Sequence, residues 1–410
     1  MSLIRAFILL FLAFSAILTI SSAGLSRHLE TSNPEWARKL YPWNIEALLA
    51  EASQSSIDDA PIDELEEIEE WAKRLLSRNA GDARLYSLIG EMERRKGDAA
   101  LSFLAFERAL ALSGTEIHAL QWVLSRAMDT KNVPETLDRI DMLFRRWPEQ
   151  IPIYAPLIPQ IVAATRDYDL FIQRIAASPP WRTTLISRLA GKRETLPFAA
   201  SVIQDFASQG IPLRKGEISN VVNAWINAGL YDHAYRTFIF TLTPEQQELI
   251  GNIYNGRFSL PPSGIPFDWQ IRSHPGIVFS YHRDGLQQED TGLTIRFLQV
   301  PVRDLQARQY LLLAPGHYTF GLKAKATGVH LPKGLFWTVR CIGSNRIIMQ
   351  LPVVEGSYQY RAFSAGLTVP PNNCSLQLLH LSTKALADNW NDIYQGTISF
   401  DDLSITGQSS

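Results

Sequence analysis

The sequence predicts three parts in order: an apolar N-terminal helix, an α-helical domain, and a C-terminal antiparallel β-sandwich. Residues Ala6 to Ala23 form an eighteen-residue uncharged run, long enough as a helix to cross a membrane. From there to about residue 255, apolar residues recur at helical spacing. Beyond Phe267 they alternate with polar ones, which is strand spacing. The stretch Leu260 to Trp269, with three prolines and a glycine, divides the two regimes. The expected boundaries are 1–25 for the membrane segment, 30–255 for the helical domain, 256–266 for a linker and 267–407 for the sandwich. Fragments 25–262 and 265–410 are therefore expected to fold separately.

A chain of 410 residues suits two domains, and 46% apolar residues can fill two cores. A net charge of −2 argues against a surface dedicated to nucleic acid or anionic lipid. The apolar run follows a short head carrying Arg5, and Ser21-Ser22-Ala23 offers a small-residue cleavage site. An uncleaved signal anchor and a cleaved signal peptide both fit, with a buried N-terminal helix as the bland alternative. Either leading reading places the bulk of the chain outside the cytoplasm. Flanking charge says little, since Arg27, Arg38 and Lys39 follow the run and Arg5 alone precedes it. Orientation is inferred from the cysteines and the domain types.

The acidic run Asp58 to Glu70 reads as the solvated face of a helix. Pro61 opens it, Asp63 and Glu64 suit its first turn, and Leu65, Ile68, Ala72 and Leu75 form the buried stripe. From Ala83, Tyr86, Ile89 and Gly90 mark one helix, Gly97-Asp98 a turn, and Phe106, Ala109 and Leu110 a second helix. The frame returns at Ile117 with Leu120, Val123, Ile140, Leu143 and Pro148, in shortened form at Ile151, and again from Lys215 to Phe238. This pattern resembles the tetratricopeptide repeat, which implies helical hairpins stacked into a solenoid with a groove for a partner protein. By motif position Arg84, Ser87, Glu91, Arg94, His118 and Gln121 would face that groove.

In the second half, Tyr318, Phe320, Leu322 and Ala324 share one face behind a Pro315-Gly316 turn. Similar runs occur at 277–281, 293–297, 335–341, 347–351, 360–369, 375–381 and 397–405, the strands of an antiparallel sandwich. In the last, Ile398 and Phe400 take one parity and Leu403 and Ile405 the other, so all four reach the core only across a bulge at Asp401-Asp402. The Phe-Asp-Asp-Leu pattern and the Pro-Gly-x-Tyr strand resemble jelly-roll carbohydrate-binding modules. That resemblance implies glycan binding, and Asp401 or Asp402 as ligands of a structural calcium; no other cofactor is expected. Sugar stacking needs exposed aromatics beside polar groups. Trp390 and Tyr394 in a polar loop, and Tyr281 with His282 at a strand end, are the candidates; a Trp390 folded over the core edge fits equally well. Trp269, Trp337 and Phe363 are expected in the core.

Cys341 and Cys374 lie at two strand ends that a sandwich can bring together, as an exported protein's disulfide or a cytosolic protein's two thiols. Nucleophile-elbow, zinc-protease, P-loop and dinucleotide motifs are absent, so the reading is non-enzymatic. The arrangement resembles accessory proteins of bacterial exopolysaccharide or capsule assembly. That implies a single-pass inner-membrane protein with a periplasmic body, or a secreted one if the signal is cleaved, binding an envelope protein and polysaccharide and no nucleic acid. A purely structural scaffold and an extracytoplasmic glycan-processing enzyme are the alternatives.

Overall fold

The computed structural model describes residues 2–54, 61–165, 167–272, 275–281, 292–300, 302, 305–383 and 391–407. They form two compact units, Met1–Arg174 and Ile175–Ser410.

The first unit opens with α1 (Ser2–Leu29), whose stretch Phe7–Leu29 has a mean hydropathy of 2.2 and an unburied apolar window. By length and composition it can cross a membrane or serve as a signal sequence. Its far end is built into the fold. Ser26 Oγ, fully buried, donates to the Ala37 carbonyl and accepts from Asn44 Nδ2, which also reaches Glu30. These bonds tie α1 to α2 (Pro34–Leu40) and to the turn before α3 (Ile45–Gln54).

Next come α4 (Ile62–Leu76), α5 (Ala83–Lys96), α6 (Ala99–Leu112), α7 (Ile117–Asp129) and α8 (Val133–Arg146). Their ends are written locally. Asp82, Asp98 and Asn132 accept first-turn N–H groups as N-caps, and Gly97 ends α5 at φ 84°, where a side chain would be strained. Gly90 lets α6 approach, because a Cβ there would stand 2.9 Å from the Phe106 ring. Helix pairs thus start at Ala83 and Ile117, as the spacing predicts. The expected copy at Ile151 does not form a helical hairpin of that kind. Prolines 148, 152, 156 and 159 break it into 3-10 turns around α9 (Ile151–Tyr154), followed by α10 (Ile158–Thr165) and α11 (Tyr168–Ala176).

The second unit begins with α12 (Arg182–Ala190), α13 (Leu196–Ser208), α14 (Lys215–Asn227), α15 (Tyr231–Phe240) and α16 (Pro244–Gln247). The pair α14–α15 starts at the predicted Lys215. A buried ion pair locks α12 to α14: Arg182 Nε and Nη2 each donate to Glu217 at 2.8 Å, and Thr183 and the Arg214 N–H complete the carboxylate's shell.

The sandwich follows, with strands β1 (Gln270–Arg272), β2 (Ile277–Ser280), β3 (Leu293–Phe297), β4 (Gln306–Leu311), β5 (Gly316–His330), β6 (Phe336–Cys341), β7 (Ile347–Pro352), β8 (Gly356–Val369), β9 (Gln377–Ser382) and β10 (Gln395–Gly407). All pairings are antiparallel, in two five-stranded sheets ordered β1-β4-β9-β6-β7 and β2-β3-β10-β5-β8. The register shift in β10 falls between Asp401 and Ser404, and Ile398, Phe400, Leu403 and Ile405 are all buried. Trp269 and Trp337 are fully buried at the centre, edge to face at 5.9 Å. Cys341 and Cys374 are joined in a disulfide with Cα atoms 4.8 Å apart.

The expected linker 256–266, with the residues on either side of it, is part of this core. Ile253 and Phe258 belong to the sandwich cluster, and Phe258 stacks on Trp269 at 4.9 Å. Trp269 Nε1 donates to the Asn255 carbonyl, Gln309 binds both backbone groups of Tyr254, and Leu403 N–H donates to Gly256. Asn255, Phe258 and Phe267 take left-handed backbone conformations, at φ 51°, 52° and 73°. Such strain costs of order 1–3 kcal/mol per residue and persists only where packing over-determines it. The segment is irregular, as its prolines dictate, yet it plugs the sandwich and ties it to α15. Tyr235 and Phe238 of that helix touch Phe267, and Phe238 also meets Tyr254 edge to face. Separate folding of a fragment starting at residue 265 is therefore not what this packing supports.

Candidate functional site

At one edge of the sandwich, β1 and β2 are the outermost strands of their sheets, and a cleft of about 340 Å³ opens between them. Trp269 lies among its lining residues, together with Ile271, Ile277 and the half-buried rings of Phe279 and Tyr281. Lys215, the first residue of α14, contributes an exposed ammonium group. Its chain lies across Gly264, where a Cβ would stand only 2.5 Å from Lys215 Nζ. The flexible lysine chain could move aside from a Cβ, so it is the φ of 72° that favours glycine here.

Tyr281 is the sequence-predicted glycan residue that the structure places in this cleft. His282 and Trp390 lie outside the described residues. Tyr394 is a correction: it is fully buried, its ring packs on Phe297 at 5.4 Å, and its hydroxyl donates to the Gly334 carbonyl at 2.9 Å. Burial pushes its pKa up to about 12. A ring in that position fixes the core and offers no face to a sugar. Its misplacement has a local cause, since the polar residues before it suggested an exposed loop whereas the chain turns inward at Tyr394.

Asp401 and Asp402 form the bulge, where both carboxylates are engaged by neighbouring groups. Asp402 gives one oxygen to Arg257 and the other to Lys323, each at 2.7 Å, and these cations hold its pKa below the ordinary value. Asp401, whose pKa burial raises, accepts the Asp402 N–H. Calcium takes six to eight oxygens. Among the described residues no group of three or more His, Cys, Asp or Glu side chains could hold a metal.

In the first unit a cleft of about 540 Å³ lies between α3, α5 and the start of α7. Arg84, Ser87, Glu91 and His118, four of the predicted groove residues, line it with Phe106 and Trp122. Arg94 does not, and pairs with Glu91; Gln121 bonds Gln150 instead. Arg84 is already held by Asp82 and Glu46. The cleft thus offers aromatic surface with charges mostly balanced in place.

Sequence reasoning missed Lys215 and Phe279, and a buried carboxylate at Asp268. Lys215 was read only as a helix start, and Asp268 only as part of the dividing stretch Leu260 to Trp269. Neither carries a periodic signal.

No protein-family model matches the chain, and no curated protein matches it. Among solved structures, it is similar to a CBM4 module at 21% identity, covering 38% of this chain and 99% of that one with a TM-score of 0.29. A family 16 carbohydrate-binding module matches at 16% identity over 38% of this chain and 99% of that one, TM-score 0.27. A third, TmCBM61 in complex with β-1,4-galactotriose, matches at 14% identity over 39% and 99%, TM-score 0.25. The two-sheet sandwich itself is established by the strand pairing.

Proposed function

We propose that this is a membrane-tethered, non-enzymatic binding protein of the bacterial envelope that holds a glycan at the open edge of its sandwich. The observation that carries the reading is the pair of half-buried rings, Tyr281 and Phe279, sharing a 340 Å³ cleft with the Lys215 ammonium group. Flat aromatics beside a few convergent polar groups are what sugar recognition asks of a site. The aromatic cleft between α3, α5 and α7 suits a segment of a partner protein, in keeping with a role in exopolysaccharide or capsule assembly. The bonds from Ser26 to Ala37 and Asn44 would carry the tether rigidly from α1 into the body.

Affinity electrophoresis of the detergent-solubilised chain through gels containing polysaccharides tests this. Tyr281→Ala should abolish the retardation seen with the parent protein and leave the melting temperature within about 2 °C, because a half-buried edge ring contributes little to the core. Retardation unchanged by Tyr281→Ala would remove the cleft from glycan binding. A parent chain that no polysaccharide retards would favour the purely structural scaffold.

A further inference from the structure

A second cavity in the unit Ile175–Ser410, of about 490 Å³, lies among the ends of α13 and α15, the start of α14 and the segment 263–268. Its walls are mainly apolar, with Ile211, Leu242, Phe238 and Tyr254, and Phe240 stands 59% exposed among the lining residues. Asp268 also faces it and is only 4% exposed.

Among the described residues of this unit, the buried carboxylates are Glu217 and Asp268, and the contrast between them is informative. Burial pushes Glu217 up, but bonds from Arg182, the Arg214 N–H and Thr183 outweigh it and hold the pKa below the ordinary value. Asp268 receives the Ser263 N–H at 2.7 Å, the Trp269 N–H at 2.6 Å and the Ser263 hydroxyl. Among the described residues no cation pairs with it, and Lys215 acts only from a distance. Burial therefore wins, and its pKa is raised above 3.8. Buried charges in proteins are ordinarily paired. Here the carboxylate without a cation is the one that borders a ligand-sized space, within the usual 300–1,000 Å³ of small-molecule sites.

We propose that this cavity binds a small ligand carrying a protonated amine, with the ammonium group against Asp268 and the ligand body against Phe238, Tyr254 and Phe240. Each carboxylate oxygen keeps acceptor capacity beyond the bonds it already receives. Aromatic walls favour a cation that must leave water. The ammonium chemistry is common to aliphatic amines and amino sugars, and the cavity admits either body. The site is separate from the edge cleft and stands without the glycan reading.

The test is thermal shift and calorimetry on the full detergent-solubilised chain with hexylamine and glucosamine, against hexanol and glucose. One or both amines should raise the melting temperature while the neutral counterparts do not, and the responding amine names the body. Binding should weaken as the pH falls toward the raised pKa of Asp268. Asp268 also closes the turn from Ser263 to Trp269, so Asp268→Asn costs stability of its own. Leu242→Trp therefore serves as a second variant, filling the cavity from its wall. Both variants should weaken amine binding about tenfold or more, the scale of losing one charge-assisted hydrogen bond. The proposal is overturned if neither amine binds, if hexanol and glucose bind equally well, or if both variants leave binding unchanged. Glucosamine binding that survives both variants but is lost in Tyr281→Ala would belong to the edge cleft and would equally overturn it.

Discussion

Truncating Phe258 to alanine tests the strongest departure of the structure from a two-bead reading of the chain. Phe258 is 2% exposed, stacks on Trp269 at 4.9 Å and shares the sandwich core with Ile253. Phe→Ala in a core typically costs 3–5 kcal/mol, combining lost transfer energy with an unfilled cavity. The left-handed backbone at φ 52° gives no relief, because alanine is strained there too. For a unit of 150–250 residues each kcal/mol lowers the melting temperature by about 2–4 °C, so a fall of roughly 6–20 °C is expected. Calorimetry of the full chain measures it. Arg257→Ala is the control one residue away. Its side chain is 72% exposed and its pair with Asp402 belongs to a class worth about 0–1 kcal/mol. A Phe258→Ala transition within 2 °C of the parent would refute the reasoning and restore the segment as a passive linker. In the same experiment a fragment 251–410 should melt cooperatively, whereas 265–410 should not.

Glu217→Gln should cost about 3–5 kcal/mol, because it strands the Arg182 charge in a site where the two side chains are 0% and 2% exposed. Glu217 has a lowered folded pKa, so its contribution is present above the ordinary 4.5 and is lost as the pH falls through the folded value; acid titration of parent and variant should converge there. Reducing the Cys341–Cys374 bond, which closes a separation of 33 residues, should remove about 3–4 kcal/mol on the chain-entropy scale, and intact-mass measurement after alkylation should find no free thiol before reductant. Gly90→Ala sets two effects against each other. Helix propensity gains about 1 kcal/mol, but overpacking against Phe106 at 2.9 Å costs about 1–3 kcal/mol, so a net loss in the first unit's melting temperature is expected.

What could be read from the sequence follows from how local its causes are. Helix pairs at Ala83, Ile117 and Lys215 are set by short-range periodicity and by caps such as Asp98 and Asn132, all within a few residues of their effects. The β10 bulge was visible because a parity change within one strand admits one solution. The disulfide needed only two strand ends and an adjacency. The copy at Ile151 failed because a spacing template ignores proline at 148, 152, 156 and 159. The role of residues 253–269 was hidden for another reason. Ile253, Phe258 and Trp269 have no period to betray a core position, and the bonds that hold the segment, Tyr254 to Gln309 and Leu403 to Gly256, span about 55 to 150 residues. The strand end singled out Tyr281, which lines the edge cleft, whereas Lys215 and Asp268 acquire meaning only beside Gly264 and a cavity that no local pattern encodes.

The plug also decides where this chain can be cut and recombined. A domain whose first core side chains precede its first strand by more than ten residues cannot be transplanted from the start of β1. A cassette for fusion to another scaffold would have to begin near Gly251, carrying Ile253, Asn255 and Phe258 with it. Even then it would bring bare rings at Tyr254 and Phe267 that α15 normally faces. The economical unit of exchange therefore includes α14 and α15. Shuffling that respects this border would move the open edge of the sandwich together with Lys215, so the sandwich and its last helical hairpin are expected to travel as one inheritable module.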